Sequence, residues 1–384
     1  MIKRAIEQSI KDNLYRKKSI LLLGPRQTGK TTLIKSLHPD LYINFMLPSV
    51  RNAYERNPNL LLEEITYKFN GKYPLVALDE VQKIPIIMDI VQYLIDEKKA
   101  QFILGGSSAR KINNLLPGRV IKFTLSPLTL SELSQTSFLT IDHLLTNGSL
   151  PGIISISDQA TIEQELQTYV ETYIEEEIRK EALVRNLGHF HRFLELSCIE
   201  SGNIINFRNI SQEIGNSHTT VAGFYQILKE CMIIEEFLPV TQSKTRKRLT
   251  KSSKYIVFDL GIQRLGAKIG VPLNQSQKSR LFEQWIGLQL RHMSQIKGNM
   301  IQIKFWRDHN GPEVDWIVER NNEFTPIEIK WSPSPNLKDA KHLITFMDEY
   351  PCKKAYIICN THTPYQLSPT ITVLPWQQLE DVLT

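Results

Sequence analysis

The chain reads as an α/β protein built from three consecutive units. Short apolar strand-like runs alternate with helical stretches over roughly residues 1–150, a mostly helical period follows over 160–265, and mixed strands and helices return in the last hundred residues. Strands separated by helices point to a parallel sheet in the first unit. At 384 residues the chain is too long for one ordinary core. The expected units are residues 1–155, 156–270 and 271–384, with the polar PLNQSQKS at 272–279 as the linker into the third.

Composition bounds what the chain can be. A hydrophobic content of 41% with 22% charged residues is that of a globular protein, not a disordered one. The net charge of +6 permits a polyanionic partner without demanding one. The opening MIKRAIEQSIKDNLYRKK is an amphipathic helix without the apolar core of a secretory signal. The longest apolar runs, ILLL and LVAL, are strand-length, so no membrane partner is expected and a cytoplasmic location is. Cys198, Cys231, Cys352 and Cys359 are scattered without histidines at ligand spacing, which argues for reduced thiols and against structural zinc.

The first unit opens with the strand SILLL, followed by Gly24-Pro25-Arg26-Gln27-Thr28-Gly29-Lys30-Thr31-Thr32 and a helical pattern. This is a G-x-x-x-x-G-K-T loop in the setting its chemistry needs. The glycines let backbone N–H groups curl around phosphates, and the helix start adds partial positive charge. Lys30 is expected to reach the β- and γ-phosphates of ATP and the Thr31 hydroxyl to bind Mg2+. A second apolar strand, PLVAL, ends in Asp79-Glu80. Tandem carboxylates at a buried strand end are costly to desolvate without a cation. Asp79 is therefore expected to hold the magnesium through water, and Glu80 to orient and polarise the attacking water, which predicts hydrolysis.

A third strand, AQFILGG, ends at Ser107-Ser108, where a polar side chain could sense the γ-phosphate or simply cap the next helix. Arg119, just before the strand VIKFTLS, reads either as an arginine finger reaching a neighbouring subunit or as an exposed turn arginine. LLLGPRQTGKTTL, LDEVQKIPIIMDIVQYLID and GGSSARKINNLLPGRV followed by LSPLTLSEL together resemble the AAA-type ATPase domain of the AAA_14 family, which is followed in such proteins by a region of the DUF4143 type. The resemblance spans essentially the whole chain and implies an ATPase, with a homo-oligomer through the ATPase domain among its implications. Gly105 stands where that family leads one to expect Thr, and the strand end NFMLP lacks the usual acid.

In the middle unit, NFRNISQEIGNSHTTVAGFYQIL has the cadence of a helix-turn-helix, with Gly215-Asn216 at the turn and Ser217 capping the second helix. A run free of acids follows, with Lys244, Arg246, Lys247, Arg248, Lys251 and Lys254 between two strand-like segments. This is a winged-helix pattern with a basic wing. Such a wing can neutralise DNA phosphates, while His218 and Thr219 at the start of the second helix can touch base edges or phosphates. The other reading is a docking or spacer domain with a solvated basic loop.

The third unit contains EVDWIVERNNEFTPIEIKW at 313–331. Strict alternation places Val314, Trp316 and Val318 on one face, with Glu313, Asp315 and Ile317 on the other. Glu328 and Lys330 share a face of the next strand, and Asn321-Asn322 makes the turn between the two. Asp315 and Glu328 are thereby expected to meet and hold Mg2+, with Lys330 positioning or activating a water. The upstream helix LFEQWIGLQLRHM offers Glu283 as a further ligand. The set of Glu283, Asp315 and Glu328-x-Lys330 resembles the PD-(D/E)xK nuclease-like superfamily, without the proline before the first Asp. That resemblance implies a restriction-endonuclease-like α/β domain, whose members either cut nucleic acid or bind without cutting. The expectation for the whole chain is an ATPase timing a DNA-engaging half, and the alternative is a nucleotide-gated regulator with an inactive nuclease-like fold.

Overall fold

The computed structural model of the protein describes residues 2–108, 116–136, 140–174, 187–241, 249–298, 300–308 and 311–383. The first unit contains α1 (Glu7–Tyr15), β1 (Ser19–Leu23), α2 (Lys30–Ser36), β2 (Leu41–Asn44), α3 (Pro48–Arg56) and α4 (Leu60–Phe69). It continues through β3 (Leu75–Asp79), α5 (Ile87–Asp96), β4 (Gln101–Gly106), β5 (Val120–Thr124) and the short α6 (Leu130–Leu133). The five strands form one sheet in the order β2-β3-β4-β1-β5, and every neighbouring pair is parallel. Each residue of β1 and β4 is buried because helices cover both faces, which is why these strands are apolar throughout instead of alternating. On one face Ile6 and Ile10 pack with Ile20, Leu22 and Ile34; on the other Leu21 and Leu23 pack with Leu61, Val91 and Leu94.

The middle unit comprises α7 (Ile141–Asn147), α8 (Pro151–Ile154), α9 (Gln159–Thr168), α10 (Leu187–Ile199), α11 (Phe207–Ile214) and α12 (His218–Glu230). A two-stranded antiparallel ribbon, β6 (Ile234–Phe237) with β7 (Lys254–Val257), and α13 (Leu260–Gly266) complete it. The chain turns from α11 to α12 through Gly215, and Ser217 caps α12 by accepting from the Thr220 N–H at 3.1 Å. Phe193, Phe207, Phe224 and Tyr225 pack ring to ring where α10, α11 and α12 meet.

Most of the segment expected as a linker is helical. Asn274 and Gln277 form a reciprocal capping box, so helix α14 runs from Gln275 to Lys297 and residues 275–279 are helical. There follow β8 (Ile301–Arg307), β9 (Glu313–Arg320), β10 (Glu323–Lys330), α15 (Lys341–Glu349), β11 (Ala355–Cys359), β12 (Tyr365–Ser368) and β13 (Ile371–Pro375). They make a six-stranded mixed sheet in the order β12-β13-β11-β10-β9-β8. Helix α14 crosses one face so closely that a Cβ on Gly287 would stand 2.2 Å from the Trp316 ring. Only glycine permits that approach.

The strict alternation expected along β9 does not hold. Lys304 pairs with Ile317 but Trp306 pairs with Val314, so Asp315 and Trp316 together face the single residue Phe305. This is a β-bulge. It shifts the parity of the strand: Trp316 and Val318 join the core under α14, whereas Val314 and Ile317 join the core under α15.

Candidate functional site

The phosphate loop lies between the end of β1 and the start of α2, and its lysine faces inward. Lys30 Nζ donates to the carbonyls of Gly24 and Pro25, both at 2.8 Å. Thr31 Oγ1 donates to Asp79 Oδ2 at 2.6 Å, and Tyr42 Oη donates to the same oxygen at 3.0 Å. Burial and the Asp79 charge both raise the Tyr42 phenol, which keeps it a donor. The parallel register sets Asp79 beside Gly105, where a Cβ would stand 2.6 Å from Asp79 Oδ1. Glycine at this position is thus what leaves room for the carboxylate.

Glu80 follows in left-handed backbone (φ +60°), a conformation that costs a non-glycine residue on the order of 1 kcal/mol. Gln82 Nε2 holds Glu80 Oε2 at 2.7 Å and Ser107 Oγ at 2.8 Å. Ser107, just past the end of β4, therefore sits in a polar chain with Glu80. Residues 109–115, which would show a helix-capping role, lie outside the described residues. Arg119 sits on the surface in a two-pronged ion pair with Asp96, at 2.7 and 2.9 Å.

Two features of this site escaped the sequence reading. The Arg4 guanidinium, 8% exposed, donates to the Thr28 carbonyl of the phosphate loop at 2.5 Å, to the Ser126 carbonyl at 2.7 Å and to Glu132 Oε1 at 2.9 Å. The middle unit also supplies one wall. A cavity of about 740 Å³ is bounded by Arg26, Gln27, Gly29, Lys30, Thr31, Thr32 and Glu80 on one side and by α8, Ile156 and Glu165 on the other. The Tyr169 hydroxyl donates to the Arg26 carbonyl at 3.2 Å. No local sequence signal marks Arg4, because its partners lie 24 to 128 positions away.

At the carboxyl-terminal end, Glu283, Asp315, Glu328 and Lys330 are near enough to act on one another electrostatically, but each is already engaged. Asp315 Oδ2 accepts from the Ile329 N–H at 2.8 Å, beyond the Ile327–Trp316 pair where the β9–β10 ladder ends. Lys330 Nζ pairs with Glu328 Oε1 at 2.6 Å. Glu283 is held at 3.1 Å by Lys254, which also reaches Glu313 at 3.0 Å. Lys254, expected on a solvated basic wing, is instead only 3% exposed. Burial and the charges of Glu283 and Glu328 push the Asp315 carboxyl well up from its ordinary range. Burial also raises Glu328, against the opposing pull of Lys330. Burial would lower the ammonium of Lys330, but Glu328 outweighs it and the lysine stays charged. The expected Mg2+ set of Glu283, Asp315 and Glu328 is not assembled: among the described residues no group of three or more His, Cys, Asp or Glu is placed to hold a metal. The physical reason is that each carboxylate already gives one oxygen to another partner, Glu283 to Lys254, Glu328 to Lys330 and Asp315 to the Ile329 amide.

Of the expected DNA-contacting residues, His218 and Thr219 are exposed at the start of α12 and Lys251 is exposed before β7. Lys244, Arg246, Lys247 and Arg248 lie outside the described residues. Among the described residues no helix is long and apolar enough to cross a membrane.

Comparison with known proteins follows the same three-part division. Residues 16–134 match an AAA domain family, residues 139–271 a domain of unknown function (DUF8612) and residues 278–379 another domain of unknown function (DUF4143). Uncharacterized proteins of Mycobacterium bovis and of Mycobacterium tuberculosis are each 23% identical over 375 residues, covering 95% of this chain and 82% of theirs. A crystal structure of a Vibrio cholerae protein aligns over 95% of this chain and 96% of that one, but at 9% identity and a TM-score of 0.19 it carries no argument. The chain thus carries an amino-terminal AAA domain of the AAA_14 family and a carboxyl-terminal DUF4143 domain.

Proposed function

We propose that the amino-terminal unit binds ATP with Mg2+ and hydrolyses it. The observation that carries this reading is the contact of the Thr31 hydroxyl with Asp79 beside the loop that holds Lys30. A hydroxyl and a carboxylate at that separation are a donor set suited to a hard cation that keeps several waters. Thr31 and Asp79 would hold magnesium, Asp79 through water. Bound magnesium neutralises charge on the phosphate oxygens. Lys30 exchanges the Gly24 and Pro25 carbonyls for phosphate oxygens, and Glu80, steadied by Gln82, orients and polarises the attacking water. The cavity of about 740 Å³ is within the usual range for a small-molecule site.

The test separates binding from chemistry. Lys30→Ala abolishes nucleotide binding. Glu80→Gln keeps binding, measured with a fluorescent ATP analogue, while steady-state turnover falls about 10²–10⁴-fold. Wild-type turnover from the Glu80→Gln protein would overturn the assignment.

A second reading, that the middle unit contacts DNA, is favoured by one observation: the exposed start of α12, next to a turn that presents His218 and Thr219 together. Anisotropy of a labelled duplex should then rise on binding and weaken as salt increases, less steeply after Lys251→Ala. Absence of salt-dependent binding to any duplex would leave the ATPase without this partner.

A further inference from the structure

The acidic cleft of the carboxyl-terminal unit is read here independently of the nucleotide site. Its carboxylates come from three elements of that unit: Glu283 on α14, Glu313 and Asp315 on β9, and Glu328 on β10. The ammonium in their midst comes from another unit. Lys254 is the first residue of β7, and its backbone is fixed by pairing with Phe237 of β6 and by a bridge to Ile204. Its Nζ stands 3.1 Å from Glu283 Oε1 and 3.0 Å from Glu313 Oε1, and within 5.1 and 5.3 Å of the centres of the Phe305 and Trp316 rings. Two carboxylates and two aromatic rings are a complete surround for one ammonium. Glu328 Oε2, on a side chain 7% exposed, is buried with no hydrogen-bond partner. The cleft therefore holds more acceptor capacity than its present cations use.

We infer that Lys254 is the resident cation of this cleft, standing where the carboxylates would otherwise hold a hard divalent metal. The DUF4143 domain is thereby kept metal-free by a lysine supplied from the middle unit. An ammonium and a divalent ion cannot share these oxygens, since both need direct contact with the same lone pairs and they repel each other. Removal of the lysine charge leaves Glu283 without its cation and Glu313 with Arg307 alone, beside Asp315 and a Glu328 that keeps Lys330 on one oxygen only, a set of oxygen ligands suited to Mg2+ or Mn2+.

The experiment uses full-length, nucleotide-free protein and Mn2+, with binding followed by loss of the free-ion EPR signal and stability by thermal unfolding. Asp315→Asn separates the cleft from any ion at Thr31 and Asp79. The wild type should show no bound Mn2+ that Asp315→Asn removes, and no change in melting temperature with Mn2+. Lys254→Met should gain one Mn2+ per chain. Its folding equilibrium should shift about hundredfold toward the native state at a metal concentration 100 times the Kd. Lys254→Met combined with Asp315→Asn should lose both effects. Mn2+ bound by the wild type and lost on Asp315→Asn would overturn the inference, as would a folded Lys254→Met protein that gains no ion. If Lys254→Met fails to fold, wild type against Asp315→Asn decides alone, with Tb3+ luminescence sensitised by Trp316 as a second readout. Sensitised emission lost on Asp315→Asn overturns the inference, and its absence upholds it.

Discussion

Arg4 ties together three stretches that are far apart in the chain: the phosphate loop at Thr28, the segment after β5 at Ser126, and α6 at Glu132. Glu132 also accepts from the N–H groups of Ala5 and Thr129, so its carboxylate is fully engaged while almost wholly buried. Arg4→Ala leaves that carboxylate without its cation and should destabilise the fold by about 3–5 kcal/mol, measured by chemical denaturation. Arg4→Ala combined with Glu132→Gln should recover part of the loss. Gly105→Thr should instead push Asp79 aside and weaken Mg-dependent nucleotide affinity about tenfold in a binding titration. The phosphate loop was legible in the sequence because Gly24 to Thr31 are contiguous and the chemistry needs them so. Arg4 and Lys254 were not, since each meets its partners only through the tertiary fold. Lys254 was also misassigned, because a lysine in a basic run gives no sign that one strand start turns inward.

Strands β1, β3 and β4 of the first sheet were readable as elements because buried parallel strands are apolar throughout. Strand β9 was found as well, yet its side chains were misplaced, since a period of two cannot register the extra residue opposite Phe305. That bulge sets Asp315 and Trp316 together opposite Phe305. The β6–β7 ribbon carries its own test at this scale. Burial would raise the Glu236 carboxyl, but Lys229, Ser253 and Tyr255 outweigh it and hold the group below its ordinary value of 4.5. A lowered acid contributes stability that is complete above about pH 4.5 and is lost as pH falls through the folded value. The melting temperature of wild type should therefore drop on acidification below that point, and Glu236→Gln should flatten this part of the profile.

At the scale of the whole molecule the proposed nucleotide site is not the property of the first unit alone. Pro151, Gly152, Ile153, Ser155 and Glu165 face the phosphate loop across the cavity, and Tyr169 holds Arg26. Hydrogen exchange should therefore slow at residues 151–165 when ATP and Mg2+ are added to Glu80→Gln protein, and the same segment should be unaffected in Lys30→Ala. The wall that α8 and Glu165 lend to the phosphate loop was not legible in the sequence, since only the fold brings them there. Strand β1 pairs only with β4 and β5, although it precedes them by some eighty to a hundred residues. During synthesis, SILLL must consequently wait, sticky and unpaired, until the ribosome has delivered β4 to residue 106, and it keeps one edge open until β5 is complete at residue 124; a nascent chain stalled before the first point should be a substrate for chaperones or a seed for aggregation.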